Sequence, residues 1–238
     1  MARVAKIDNA LMKRYERTEK SRPTNTRNKR VYFLIVCEGE KTEPKYFKAI
    51  ENELPQGTIE LEIAGTGRNT IGLVNYTIEQ RNKANRKYDQ VWAVFDKDDF
   101  PDANFNSAIF KAEANGIKCA WTNEAFELWF MLHFQYVDTG MSRDEYKKFI
   151  ERELTSKIGN VYKYKKNAPD TYVLLKKYGN LTQAIVRAKK LKAQYTDQCY
   201  ANHNPCTCVY ELIEALFNPK EILKEIAEKD EKTNFPFA

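Results

Sequence analysis

Two uninterrupted apolar runs, Val31-Tyr-Phe-Leu-Ile-Val-Cys37 and Val91-Trp-Ala-Val-Phe95, constrain this chain more than any other feature. Both are rich in β-branched and aromatic residues and lack apolar–polar alternation, as expected of strands buried on both faces. Such strands belong in parallel sheets whose two faces are covered by helices. Thr58-Ile-Glu-Leu-Glu-Ile-Ala64 alternates with period two and reads as a strand with one wetter face, and Ile117 to Thr122 as a further short strand. Helices fit between them: one opening near Pro44 and running to about Asn52, one capped by Asn69 or Thr70 and running to about Arg86, and one from Asn104 to Asn115. A fourth is expected from Asn123 to Phe134. Strand alternating with helix predicts an α/β fold with a mostly parallel sheet and flanking helices.

After Tyr136 the strand signals fade. Helical stretches are expected near 143–153, 170–178, 181–196, 208–217 and 219–229. The expected organisation is a loosely ordered basic arm over 1–30, an α/β domain over 31–136 and a helical C-terminal extension over 137–238. The longest apolar run has seven residues, against the roughly 20 that span a bilayer. The N-terminus lacks the apolar stretch of a secretory signal, and five cysteines, an odd number, read as reduced thiols. A cytoplasmic protein with no membrane association is expected.

The net charge of +6 conceals two basic segments. Residues 1–30 carry ten Lys or Arg against three acids, and residues 157–192 carry ten against Asp170 alone. The second segment interleaves its cations with Tyr162, Tyr164, Tyr172 and Tyr178. Cations for a phosphate backbone and rings for stacking suit a nucleic-acid partner, with Lys163, Lys165 and Lys166 as contacts. A solvated helical face with tyrosines packed beneath it is the plainer alternative.

Reactive groups in an α/β sheet gather at the carboxyl ends of strands. The first apolar run leads into Glu38-Gly-Glu-Lys-Thr-Glu43 and the second into Asp96-Lys-Asp98. Alternation along an extended chain places Asp96 and Asp98 on one side, roughly 6 to 7 Å apart. At an effective dielectric near 20 two such carboxylates repel by roughly 3 kcal/mol, so the pair wants a cation or a proton. A hard divalent ion, Mg²⁺ or Mn²⁺, meets that need. Glu38 can hold metal or transfer a proton, and Gly39 lets a phosphate approach the backbone. The plainer reading is that Asp is a common turn residue.

On the helix expected from Asn123, Glu124 and Glu127 are three apart and share a face, so either can complete a carboxylate cluster; acids there also favour the helix dipole. Lys41, and Arg68 in Gly65-Thr-Gly-Arg-Asn-Thr70, are candidate phosphate contacts. Asn204 and Thr207 either cap a helix beginning near Cys208 or bind a phosphate there. His133 reads as a buried, hydrogen-bonded core histidine. Cys199, His203, Cys206 and Cys208 lie close together, but a single residue between the last two thiols argues against zinc.

Four ordered motifs carry a resemblance: Val31 through Glu43, Val91-Trp-Ala-Val-Phe-Asp-Lys-Asp98, Asn123-Glu-Ala-Phe-Glu-Leu-Trp-Phe-Met-Leu-His-Phe134, and Asn204-Pro-Cys-Thr207. Over about residues 30–217 the chain resembles the RloB family of bacterial proteins linked to phage defence and abortive infection. The resemblance implies a Toprim-type domain, shared with primases, topoisomerases and OLD-type nucleases, in which a first-strand Glu and a later Asp-x-Asp bind Mg²⁺. The matching positions are Glu38, Asp96 and Asp98. The sequence departs from the commoner pattern at Asp99-Phe-Pro101. The implied function is a metal-dependent nuclease acting on DNA or on RNA such as tRNA. The alternative is a non-catalytic sensor or toxin subunit working with a separate ATPase, because the chain shows no ATP-binding loop. A phosphotransferase using Asp96 as nucleophile fits less well, since that motif would follow the first strand.

Overall fold

The computed structural model describes residues 30–55, 57–166 and 168–234. The basic arm expected over 1–30 lies outside them apart from Arg30, whose guanidinium reaches Glu60 at 3.5 Å. The elements run β1 (Val31–Cys37), α1 (Thr42–Glu51), β2 (Ile59–Gly65), α2 (Thr70–Lys83), β3 (Gln90–Asp96), α3 (Asp102–Ala114), β4 (Lys118–Asn123) and α4 (Glu127–Leu132). There follow α5 (Arg143–Ile158), α6 (Thr171–Tyr178), α7 (Leu181–Lys192), a 3₁₀ turn at Tyr200–Asn202, β5 (Cys206–Thr207), α8 (Val209–Phe217) and α9 (Pro219–Asn234).

One five-stranded sheet has the order β2-β1-β3-β4-β5, parallel except for β5. The two apolar runs occupy adjacent central strands, and alternate residues feed two cores. Val31, Phe33, Ile35 and Cys37 join Trp92 and Val94 on the side of α1, whereas Leu34 and Val36 join Ala93 and Phe95 on the side of α2 and α3. Burial on both faces is the reason these strands read as continuous apolar runs.

From β1 the chain moves outward to β2 through α1, then crosses back over β1 to β3 through α2 on the opposite face. Opposite faces for opposite directions keep both crossovers right-handed. They also leave a topological switch point between the carboxyl ends of β1 and β3, where open α/β sheets bind their ligands.

Two local expectations are corrected. β4 continues through Asn123 and α4 begins only at Glu127, so Glu124 and Glu127 do not share a helix face. β3 ends at Asp96, and Asp98 sits in a turn at φ 40°, so strand alternation does not relate the two aspartates. The C-terminal part is helical, as expected, and also contributes the short β5, which pairs Thr207 with Thr122 and Cys206 with Asn123. Two residues are too few for a periodic signal. Among the described residues no helix is long and apolar enough to cross a membrane.

Candidate functional site

Glu38 follows β1 directly, and its N–H donates to Val94 O at 2.8 Å. Its side chain turns across the switch point, where Oε2 accepts the Asp96 N–H at 3.1 Å. Burial, with help from Glu43 and Asp98, raises its pKa to about 7 against the pull of that N–H and of Arg143. Asp96, buried at the end of β3, accepts the Phe126 N–H at 3.1 Å through Oδ2, while its Oδ1 has no partner. Burial and the nearby Glu43 and Glu127 hold its carboxyl well above the usual range.

Asp98 is held by its backbone, whose N–H donates to Glu124 O at 3.1 Å. Aspartate is one of the few residues that adopts a left-handed conformation at modest cost. Between the two aspartates, Lys97 turns away to Phe100 O at 2.6 Å and Asp102 at 3.0 Å, which clamps the turn.

Arg143 stands among these acids. It opens α5 next to Ser142, which caps the helix in a capping box with Glu145. Its guanidinium lies 3.4 Å from Asp96 Oδ2, 3.1 Å from Asp98 Oδ2 and 4.0 Å from Glu127 Oε2. Glu43, in the first turn of α1, is 5% exposed, and its Oε2 has no hydrogen-bond partner. Burial raises its pKa, opposed in part by Lys166 and Arg143. A Cβ on Gly39 would meet the Glu43 carboxylate, which would have to move aside.

A strap formed by residues 161–166 crosses the cluster. The Tyr164 hydroxyl donates to Glu127 Oε1 at 3.2 Å, its N–H donates to Glu151 at 3.0 Å, and the Thr42 hydroxyl donates to Lys166 O. Beneath the strap, Tyr162 and Tyr164 pack on the core, and Tyr172 is buried. These rings therefore face inward, and the lysines form the solvated surface.

The residues placed together around one cavity of about 330 Å³ include Glu38, Asp96 and Asp98, with Arg68, Arg143 and Lys166 facing them. Glu127 is buried behind Arg143 and does not line this cavity. Neither does Glu124, whose carbonyl serves the Asp98 turn. Lys41 is exposed at the start of α1, Lys163 pairs with Glu151 at 3.3 Å, and Lys165 is exposed on the strap. Asn204 is exposed against Gly140. Thr207 is fully buried, with its hydroxyl 2.9 Å from that of Thr122, so it ties β5 to β4 and is not open to a phosphate.

Glu43 and Arg143 are site residues that the sequence reading did not single out. Glu43 had a signal in hindsight, an acid six residues after a buried strand in a run already containing Glu38. Arg143 had none, since only folding brings the start of α5 to the ends of β1 and β3. Outside the cluster, His133 is the hydrogen-bonded core residue expected, with Nδ1 3.0 Å from Trp129 O. His203 Nε2 lies 2.9 Å from Asp197, with its ring stacked on Tyr195. Among the described residues no group of three or more His, Cys, Asp or Glu side chains is arranged to hold a metal ion.

Chemically, this is a pocket of clustered acids at the switch point of a parallel sheet, with cations on its rim. No curated protein and no solved structure matches the chain. The family model for RloB-like protein matches residues 33–216, a span that takes in both strand ends, Arg143 and the strap, and the chain belongs to that family.

Proposed function

We propose that the cluster is the active site of a metal-dependent phosphodiesterase of the Toprim type that cuts DNA or RNA. The observation that carries this reading is that Glu38, Asp96 and Asp98, from two different strand ends, line one cavity with three cations facing them. Acids are suited to a metal and cations to a phosphate, and a nuclease needs both.

The donor set fits Mg²⁺ or Mn²⁺ in its chemistry. Every candidate ligand is a hard oxygen, and Asp96 Oδ1 and Glu43 Oε2 are buried without hydrogen-bond partners. In the arrangement described, Arg143 supplies the positive charge that these acids need. Asp96 and Asp98, with Glu38, would hold the ion, which when bound polarises the phosphodiester and acidifies an attacking water. Arg68 and Lys166, on the rim, would bind phosphate oxygens. If Asp96 and Asp98 hold the ion without it, Glu38, whose pKa burial raises to about 7, would instead hold or release a proton at Oε1 while Oε2 stays on the Asp96 N–H.

A second reading, a non-catalytic subunit that binds nucleic acid or works with a separate ATPase, is favoured by Arg143 itself. An arginine already pairing the acids is what a structural ion network would show. The discriminating experiment is incubation of the purified chain with single- and double-stranded DNA and with tRNA, with Mg²⁺ or Mn²⁺ and with chelator. Cleavage that needs metal and disappears in the Asp96→Asn, Asp98→Asn double variant is expected. Equal cleavage by that variant, or none by the native chain, overturns the nuclease. The role in antiviral defence that we infer from the family is checked by plaque counts on bacteria expressing the native chain or the double variant.

A further inference from the structure

At the far edge of the sheet β4 is only partly covered. β5 pairs with Thr122 and Asn123 alone, after which the Cys208 N–H donates to Trp121 O at 2.8 Å and the chain leaves the sheet. Peptide groups alternate in direction along a strand, so a Trp121 carbonyl that points outward means that Cys119 also turns its N–H and C=O outward. Among the described residues no strand pairs with 118–120 on that side.

This stretch opens into a groove of about 710 Å³ that shares no lining residue with the carboxylate cavity. Trp92 and Trp121 lie buried beneath it and Tyr200 is half-buried at its side, and the Trp92 indole N–H has no acceptor. Glu113 at the end of α3 stands on one wall, and Glu211 and Glu214 of α8 on the other. The two lysines of the groove are drawn onto rings: Lys118 lies 5.3 Å from Trp92, and Lys192 lies 5.0 Å from both Trp121 and Tyr200. Glu214 is paired with Lys189 at 2.6 Å, whereas Glu113 and Glu211 close no ion pair among the described residues, although Glu211 is hydrogen-bonded by Tyr210 and attracted by Lys192 and Lys118.

We propose that this groove takes up a short extended segment of a partner protein, added as a strand beside β4, with a basic side chain placed between Glu113 and Glu211. Main-chain hydrogen bonds to an exposed edge supply affinity in this mode, and side-chain pockets supply specificity. Here the backbone groups of Cys119 offer the first, and the acids above an aromatic floor offer the second. Exposed edges are hazards that proteins blunt with lysine. Lys118 serves that purpose against indiscriminate pairing and leaves the choice of occupant to the acidic walls.

The test uses the full ¹⁵N-labelled chain and the probe acetyl-Val-Arg-Val-Lys-Val-amide. Saturable shifts centred on the Cys119 amide are expected, with slowed solvent exchange of that amide. Affinity should fall at least tenfold in the Glu113→Lys, Glu211→Lys variant, and binding should vanish for the same peptide with alternate amides N-methylated. The proposal is overturned by no saturable shift at Cys119 up to about 1 mM peptide. It is equally overturned by undiminished binding of the methylated peptide. A free chain that is already dimeric, with the Cys119 amide protected, would assign the edge to a second copy and also sink the proposal.

Discussion

The Asp96 backbone N–H donates to Glu38 Oε2 at 3.1 Å, and the Glu38 N–H donates in turn to Val94 O at 2.8 Å. The two central strands are thus tied at the point where the acidic cavity begins. The ion that makes this tie is itself costly to bury.

That cost predicts a pH dependence. The Glu38 pKa rises from 4.5 to about 7 on folding, mainly through burial. The contribution of its protonated form to stability is complete below about 4.5 and is lost as pH rises through about 7. Glu38→Gln keeps an oxygen for the Asp96 N–H and cannot ionise. The variant should match the native chain near pH 4.5 and exceed it by about 1–3 kcal/mol at pH 8 in urea unfolding. A difference that shrinks with rising pH would contradict the assignment.

Arg143 neutralises three carboxylates from two parts of the chain, Asp96 and Asp98 at the end of β3 and Glu127 at the start of α4. Removing one partner of a buried ion cluster leaves the others uncompensated, so Arg143→Met should cost about 2–4 kcal/mol. Arg143→Lys should recover only part, because a point charge cannot fork to several acids. If the acids can take a divalent ion, Mn²⁺ should raise the Tm of Arg143→Met more than that of the native chain in calorimetry.

Gly65 shows how tightly the strand ends are packed. A Cβ there would lie 2.7 Å from the Glu40 Cα and from the Gly39 carbonyl, both backbone atoms that cannot swing aside. Gly65→Ala should therefore cost about 1–3 kcal/mol. It should also shift the amide resonances of 38–43 in an NMR spectrum, because the turn carrying Glu38 must move.

The strap is fastened by the Tyr164 hydroxyl on Glu127, a carboxylate 2% exposed. Tyr164→Phe leaves Glu127 without that donor, at a cost of about 1–2 kcal/mol. Limited proteolysis should cut between 160 and 170 faster in the variant while leaving the sheet intact. Unchanged cleavage there would show that the fastening lies elsewhere.

Sequence alone determined the central strands, the mostly parallel order and the acids at the strand ends, because burial on both faces writes a continuous apolar run into the chain. Glu38 and Asp96 were legible for the same reason, as the first polar residues after such runs. The relation of Asp98 to Asp96 was not, since a single left-handed residue replaces strand alternation. The direction of Tyr162 and Tyr164 was not either: a tyrosine among lysines packs inward or faces solvent according to what lies beneath it. Only the tertiary structure decided that Arg143 stands among the acids, that Glu43 joins them, and that a two-residue β5 leaves part of the β4 edge uncovered. These are contacts between segments far apart in the chain, set by which faces pack together. Hydrophobic periodicity records whether a residue is buried, but it does not record against what.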